Sequence, residues 1–310
     1  MPDPQSPLAQ ASIDLFNGAL LISTLIVLGV GGLLAYMMVR YRARSGAGEP
    51  TPDFGNHKLE IAWTIAPAIL LTVIAVFTFP ALRAQEVDTS KAAGGGTPDL
   101  IVIGHQWWWE IRYPQANVVT ANELHLPTGR QLLVQLEGAD VIHSLWIPQL
   151  APKLDNVPGH TNWMWLRADR AGTYQGACAE YCGTQHAWML IRAVAQAPAD
   201  FDAWLRQQGA PAAAVPAGAA AQHGAQIFAQ RTCISCHAIA GTAARAVVGP
   251  NLTHFASRQI LAAGVLENNA ANVTRWLRNP QSVKPGNLMP NVRLSDDELR
   301  DLTAYMESLR

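Results

Sequence analysis

From Cys178 to Met189 the chain reads Cys-Ala-Glu-Tyr-Cys-Gly-Thr-Gln-His-Ala-Trp-Met, which puts two thiols, an imidazole and a thioether within twelve residues. Soft and borderline donors at this density suit copper. Paired Cys with His also suits tetrahedral zinc. The terminal Met argues against zinc, because a weak thioether ligand is characteristic of electron-transfer copper. A second imidazole is still needed, and His143 of Val141-Ile-His143-Ser144 supplies a candidate on a strand-like run 35 residues before Cys178. Two other readings use the same residues. One is a structural disulfide between Cys178 and Cys182 beside an unrelated His. The other is a copper-delivery or assembly protein, in which paired Cys and a distant His hold the ion for transfer.

A second chemical motif, Cys233-Ile-Ser-Cys236-His237, has the C-x-x-C-H form of covalent c-type haem attachment. Two thioethers tether the porphyrin and the adjacent His reaches the iron. Alone, the motif would also serve as half a zinc site or a redox dithiol. Met289, before Pro290 on a loop, is the expected second axial ligand. Met306 competes but lies in Ser295–Leu309, which reads as an amphipathic helix with Ser295 as N-cap and Glu298 at N3. His254 reads as structural. His/Met ligation raises the haem potential above that of two His ligands, as suits an electron carrier.

These sites need elements to hold them. The 310 residues suffice for about two domains plus membrane segments. The net charge of −1 gives no reason to expect nucleic acid. The charge is uneven, with 8 Lys/Arg against 12 Asp/Glu over residues 83–205 and 9 against 6 over 222–310, an opposition that favours association of the two parts. All four Cys fall in the two motifs, so no pair remains for a disulfide framework.

Met1 to Gln10 is polar and Pro-rich, without the basic start and apolar core of a signal peptide. Leu15–Val39 and Ile61–Leu82 are uncharged runs of 25 and 22 residues, each long enough to span a bilayer. Arg40, Arg42, Arg44 and Lys58 lie between them, which places that loop in the cytoplasm and both termini outside, in a bacterial inner membrane. Residues 1–84 are thus expected to form a transmembrane hairpin with spans of about 15–39 and 61–82. Residues 85–205 open with a loop, Gln85 to Pro98. Short apolar runs follow at Leu100–Gly104, Leu132–Leu136, Val141–Pro148, Asn162–Leu166 and Met189–Val194, the pattern of an all-β sandwich. Phe201–Gln208 reads as the end of a short helix, and 206–221 as an Ala/Pro linker. Residues 222–310 form the haem-binding domain.

C-x-E-x-C-G-x-x-H-x-x-M preceded by V-x-H-S resembles the binuclear CuA site of cytochrome c oxidase subunit II, in the haem-copper oxidase superfamily. The resemblance covers almost the whole chain, as the form in which a class I cytochrome c is fused behind the CuA domain. It implies a multidomain fold: a transmembrane hairpin, an all-β cupredoxin-like sandwich and an all-α cytochrome c domain. It also implies that Cys178 and Cys182 bridge two coppers, that His143 and His186 bind one each, and that Met189 and the Glu180 carbonyl are weak ligands. The Glu180 side chain would help hold a Mg²⁺ at the contact with subunit I.

Gly104-His-Gln-Trp107-Trp108-Trp109 resembles the family's aromatic motif, whose first member is the exposed residue that accepts electrons from cytochrome c; Trp107 takes that place. The middle residue, usually Tyr, is Trp108 here. The family's acidic donor-docking loop is poorly represented in Ile111–Thr120, which implies a rearranged mode of docking. Glu60, three residues before Trp63, matches a Glu near the mouth of a proton-uptake path in subunit I. An interfacial Glu at a helix end is the plainer reading.

The function implied is electron transfer from an external cytochrome c or other donor to haem c, then CuA, then haem a of subunit I. There O₂ is reduced and protons are pumped, with subunit III as a further partner. A CuA subunit of a nitric oxide reductase is the alternative, with the copper chaperone below it. Nitrous oxide reductase ranks lower too, because it lacks the hairpin and the fused haem. The mobility expected of the linker suggests that the haem domain does not rest against Trp107.

Overall fold

The computed structural model describes residues 3–42, 46, 48, 52, 54–87, 97–211 and 218–310. Arg44, most of the expected 85–98 loop and 212–217 of the expected linker lie outside the described residues. The described chain forms two compact units: Gln10–Glu86, and Val87–Arg310 together with the N-terminal residues up to Ala9.

The first unit is a pair of helices, α1 (Pro7–Arg40) and α2 (His57–Gln85), each with a mean hydropathy of 2.3 over its most apolar window. Their apolar side chains face outward all round, as at Leu21, Leu28, Leu71 and Phe77. A helix apolar on every side is stable only inside a large core or in lipid. Asn56 caps α2 by accepting from the Lys58 and Leu59 amides. Glu60 sits in that first turn, where a carboxylate is favoured by the helix dipole, and lies 3.1 Å from His57.

In the second unit, residues 100–196 make a sandwich of two five-stranded sheets. One sheet has the order β3 (Val118–Ala121), β2 (Trp108–Tyr113), β1 (Leu100–His105), β5 (Leu132–Gly138), β8 (Asn162–Leu166). The other runs β4 (Glu123–Pro127), β10 (Leu190–Gln196), β9 (Gly172–Cys178), β6 (His143–Trp146), β7 (Leu154–Asn156). Between them Leu100, Trp109, Ile111, Leu124, Leu136 and Ile191 are fully buried, so the core lies where the two inner faces meet. Helix α3 (Pro198–Gln208) closes one end, stacking Trp204 on His125 at 3.9 Å.

Residues 219–310 pack helices α4 (Ala219–Gln230), α5 (Ala270–Arg278), α6 (Pro280–Val283) and α7 (Asp296–Ser308) around Phe228, Leu252, Leu302 and Met306. Met306 is therefore core, and α7 opens with the Ser295/Glu298 capping box. A small antiparallel pair, β11 (Ile260–Leu261) and β12 (Leu266–Glu267), is added to the helical fold. The expectation that this part stays away from Trp107 does not hold. It belongs to the same compact unit as the sandwich, and Lys284 Nζ donates to the Trp107 carbonyl at 3.0 Å.

Helices α4 and α7 cross at Gly224, where a Cβ would run into the Asp301 carbonyl and stand 2.8 Å from Tyr305 Cβ. Backbone cannot yield as a flexible side chain does. Gly224→Ala is expected to destabilise the helical part by about 2 kcal/mol, seen as a lower denaturation midpoint for that part while the sandwich is unaffected.

Candidate metal centres

The loop after β9 brings the sequence motif to the end of the second sheet. Cys178 ends β9, with its amide bonded to the Met189 carbonyl, while Ala179 bonds back to Ser144 on β6. His143, at the start of β6, is thereby set against Cys178: its Nδ1 lies 3.9 Å from the sulfur. Cys182 Sγ lies 3.7 Å from Cys178 Sγ, 3.7 Å from His186 Nδ1 and 3.9 Å from Met189 Sδ. The Glu180 carbonyl oxygen is 3.2 Å from Cys178 Sγ. Each sulfur thus has one imidazole and one weak donor beside it. The six predicted donors come together, and His143, Cys178 and Cys182 alone already form a buried cluster with ligand atoms within 4.8 Å of one another.

The electrostatics of the pair follow from this spacing. The hydrogen bond shared with Cys182 pulls the Cys178 thiol down to about 3, against the cost of burial and with help from His143. The same neighbour pushes Cys182 up, because a second thiolate so close to the first is repelled. A bound cation would remove that repulsion, and this set of sulfur, imidazole and carbonyl donors fits a soft metal.

Two groups that the sequence reading assigned no role hold His143 in place. Asp140 Oδ1 accepts from His143 Nε2 at 2.8 Å, which fixes the tautomer with Nδ1 toward the sulfur. Burial would raise the Asp140 carboxyl, but hydrogen bonds from His143 and from the Gln106 and Val141 amides hold it below the usual range. For His143, burial acts downward and is outweighed by Cys178 and Asp140, which raise it. Gly104 is the second group: a Cβ there would stand 2.7 Å from the His143 ring. The i, i+3 spacing of Asp140 and His143 was visible in the sequence; the approach of Gly104 was not.

Trp107 Nε1 donates to the Cys182 carbonyl at 2.9 Å, and Gln106 Nε2 to the same oxygen at 2.8 Å. The residue expected to be exposed is half-buried, with its indole against Cys182 and Gly183 and its carbonyl bonded to Lys284. Trp109 is the core member of the motif, edge-on to His143 at 6.0 Å. Trp108 stacks on His105 at 4.2 Å. The Glu180 side chain is partly exposed, and Glu60 belongs to the separate helical unit.

In the helical part, Cys233 lies within the 3₁₀ turn Thr232–Ser235 and Cys236 follows it; both are free and half-buried. His237 Nδ1 pairs with the Pro250 carbonyl at 2.8 Å, so Nε2 is the nitrogen left to bind a metal. Burial lowers its pKa and keeps the imidazole neutral, as a ligand must be. Gly249 provides room, since a Cβ would stand 2.7 Å from His237 Cε1. The Met289 loop is fixed by Gln281, which donates to the Met289 carbonyl at 3.0 Å, and by Asn287, which accepts from its amide at 2.8 Å. These residues fit a covalent haem. His254 instead bonds the Ala210 carbonyl at 2.9 Å, a structural role.

Comparison with known proteins agrees with this layout. The transmembrane domain of cytochrome C oxidase subunit II matches residues 1–81, its periplasmic domain 117–196, and cytochrome c 221–310. Cytochrome c oxidase subunit 2 of Alkalihalophilus pseudofirmus is 37% identical over 99% of this chain and 90% of its own length. The chain belongs to the cytochrome c oxidase subunit II family. The Bacillus subtilis subunit 2 is 34% identical over 99% of this chain and 90% of its own length, and that of Bacillus sp. PS3 36% over 87% and 80%. This subunit II chain is thus a component of an oxidoreductase complex. It is membrane-anchored, with a cupredoxin-like domain and a cytochrome c domain.

Asp140→Ala is expected to lower copper affinity by about 10–100-fold in a competition titration, while the sandwich retains its fold. Unchanged affinity would remove Asp140 from the site.

Proposed function

We propose that this chain is the electron-accepting subunit of the oxidase. It takes electrons at a covalent haem c and passes them through a binuclear CuA centre to haem a of subunit I, where O₂ is reduced to water and protons are pumped. The observation that carries the reading is the convergence of two thiols, two imidazoles, a thioether and a main-chain carbonyl on one loop and its neighbouring strand. A copper pair held by these donors would share one electron over two metals, which keeps reorganisation small.

The chain's own residues have distinct parts in this. Cys178, Cys182, His143, His186, Met189 and the Glu180 carbonyl would hold the coppers. Asp140 and Gly104 hold the His143 ring at one angle, so that the site changes little between oxidation states. Cys233 and Cys236 would tether the haem, and His237 and Met289 would ligate its iron. Trp107 joins the two sites, with its indole on the Cys182 carbonyl and its own carbonyl on Lys284. Glu180 is proposed to contribute its carboxylate to a Mg²⁺ at the contact with subunit I. Glu60 has the position of a proton-path residue, although its place in the first turn of α2, beside His57, accounts for it locally.

Arg40 at the end of α1 and Lys58 at the start of α2 support a cytoplasmic loop, with the metal-binding domains on the periplasmic side of the inner membrane. The domains proposed are 1–84, 85–205 and 222–310, with 206–221 as the link. Subunits I and III and an external donor are the proposed partners.

Metal analysis with EPR on the purified chain tests the assignment. Two coppers per covalent haem, with one unpaired electron shared by both copper nuclei, are expected. One copper, zinc or readily exchanged metal would overturn it and favour copper delivery. Trp107→Phe is expected to slow haem-to-copper transfer by at least about tenfold, roughly 1.4 kcal/mol in barrier, with both metal spectra intact. Unchanged kinetics would reject Trp107 as the relay.

A further inference from the structure

The contact between the cytochrome c domain and the sandwich is built from buried polar groups. Glu123 on β4 is 1% exposed, and its Oε1 accepts from two amides of the other domain, Gln259 at 2.5 Å and Ile260 at 2.7 Å. Beside it, Arg192 on β10 reaches Glu267 and the Gln259 side chain, each at 3.1 Å. Lys284 is 3% exposed, and its ammonium donates to the carbonyls of Trp107 at 3.0 Å and Ala262 at 3.4 Å. Gln185, in the copper-binding loop, bonds the Pro285 carbonyl. Gly264 has a positive φ of 86°, and a Cβ there would stand 2.7 Å from Leu190 Cβ.

A buried carboxylate and a buried ammonium are costly to desolvate, and they recover that cost only in good geometry. Such groups therefore select one register over neighbouring ones more than they add affinity. A domain that merely swings on its linker has no use for them. Burial depresses the Lys284 pKa to about 8, which shows how far the docked state removes it from water. The linker then has only to supply the effective concentration that lets a modest interface stay formed.

We propose that the cytochrome c domain is latched in one register on the Trp107 face of the copper domain, with Glu123 as the anchor and Lys284 as the clamp. The partner that this face fits is the chain's own carrier. It is closed to outside proteins, and an external donor must meet the cytochrome c domain instead. Lys284 lies five residues before Met289 in the same loop region, so the clamp also positions the haem-binding loop against the relay tryptophan. Lys284 is a positioning residue in this scheme. The transfer aspect rests on the function proposed above, whereas the latch rests on the protein contacts alone.

The test is amide hydrogen exchange on the full chain in its oxidase complex, followed over 258–262. Wild type is expected to be protected there. Glu267→Lys, a change at an exposed residue that sets two cations together, is expected to speed exchange by at least about tenfold. The double change Arg192→Glu with Glu267→Lys should restore protection. Lys284→Met, which keeps the aliphatic stem, should likewise speed exchange and slow haem-to-copper transfer by about tenfold, with both absorption spectra unchanged. Glu123→Gln, which keeps an acceptor oxygen, should preserve more protection than Glu123→Ala. Exchange at 258–262 as fast as in unstructured chain in the wild type would overturn the latch. So would wild-type exchange in both Glu267→Lys and Lys284→Met. Protection in a chain that binds no copper would sink the proposed function and leave the latch standing.

Discussion

Two cysteine sulfurs held 3.7 Å apart in a buried loop cannot both be anionic without a cation between them. The architecture around residues 178–189 keeps them at that separation all the same. Ladder bonds from Cys178 to Met189 and from Ala179 to Ser144 pin both ends of the loop to strands that the core would hold in any case. The imidazoles, the thioether and the carbonyl then meet the sulfurs as a consequence of where those strands end. Without a cation one sulfur keeps its proton and shares it with the other, so a metal can take that proton's place with little rearrangement of the scaffold.

The chemistry was easier to read in the sequence than the frame that holds it. Cys178, Cys182, His186 and Met189 share one loop, so spacing alone brought them together, and His143 was found because strand-like residues flank it. The hairpin and the capping box of the last helix were equally plain, because both are local patterns. The strand at Gly172–Cys178 was missed: two glycines and a Gln give it little strand character. Its reason is tertiary, since a Cβ at Gly176 would stand 2.6 Å from the Trp146 carbonyl. The expected strand Val141–Pro148 starts instead at His143, because the Asp140 side chain takes the Val141 amide and turns the chain there. Gly104 had no signal that composition could carry, because its role depends on a ring that arrives from another strand.

The contact between domains shows the same limit for charge. Bulk charge suggested an acidic sandwich attracting a basic cytochrome c domain. The ion pair formed across the contact has the opposite polarity, with Arg192 from the sandwich and Glu267 from its partner. Net charge governs approach at a distance, whereas the seated register is decided by a few desolvated groups. The linker composition misled for a related reason: flexible sequence sets what a domain can reach, not where it rests.

The seating of Lys284 on the Trp107 carbonyl bears on the history of the neighbouring surface. A subunit that recruits a diffusing carrier must keep an acidic face to attract it. One that carries its own, already in place, is under no such selection, and residues free of selection drift. The scarcity of acidic residues in Ile111–Thr120 is what such release would leave behind.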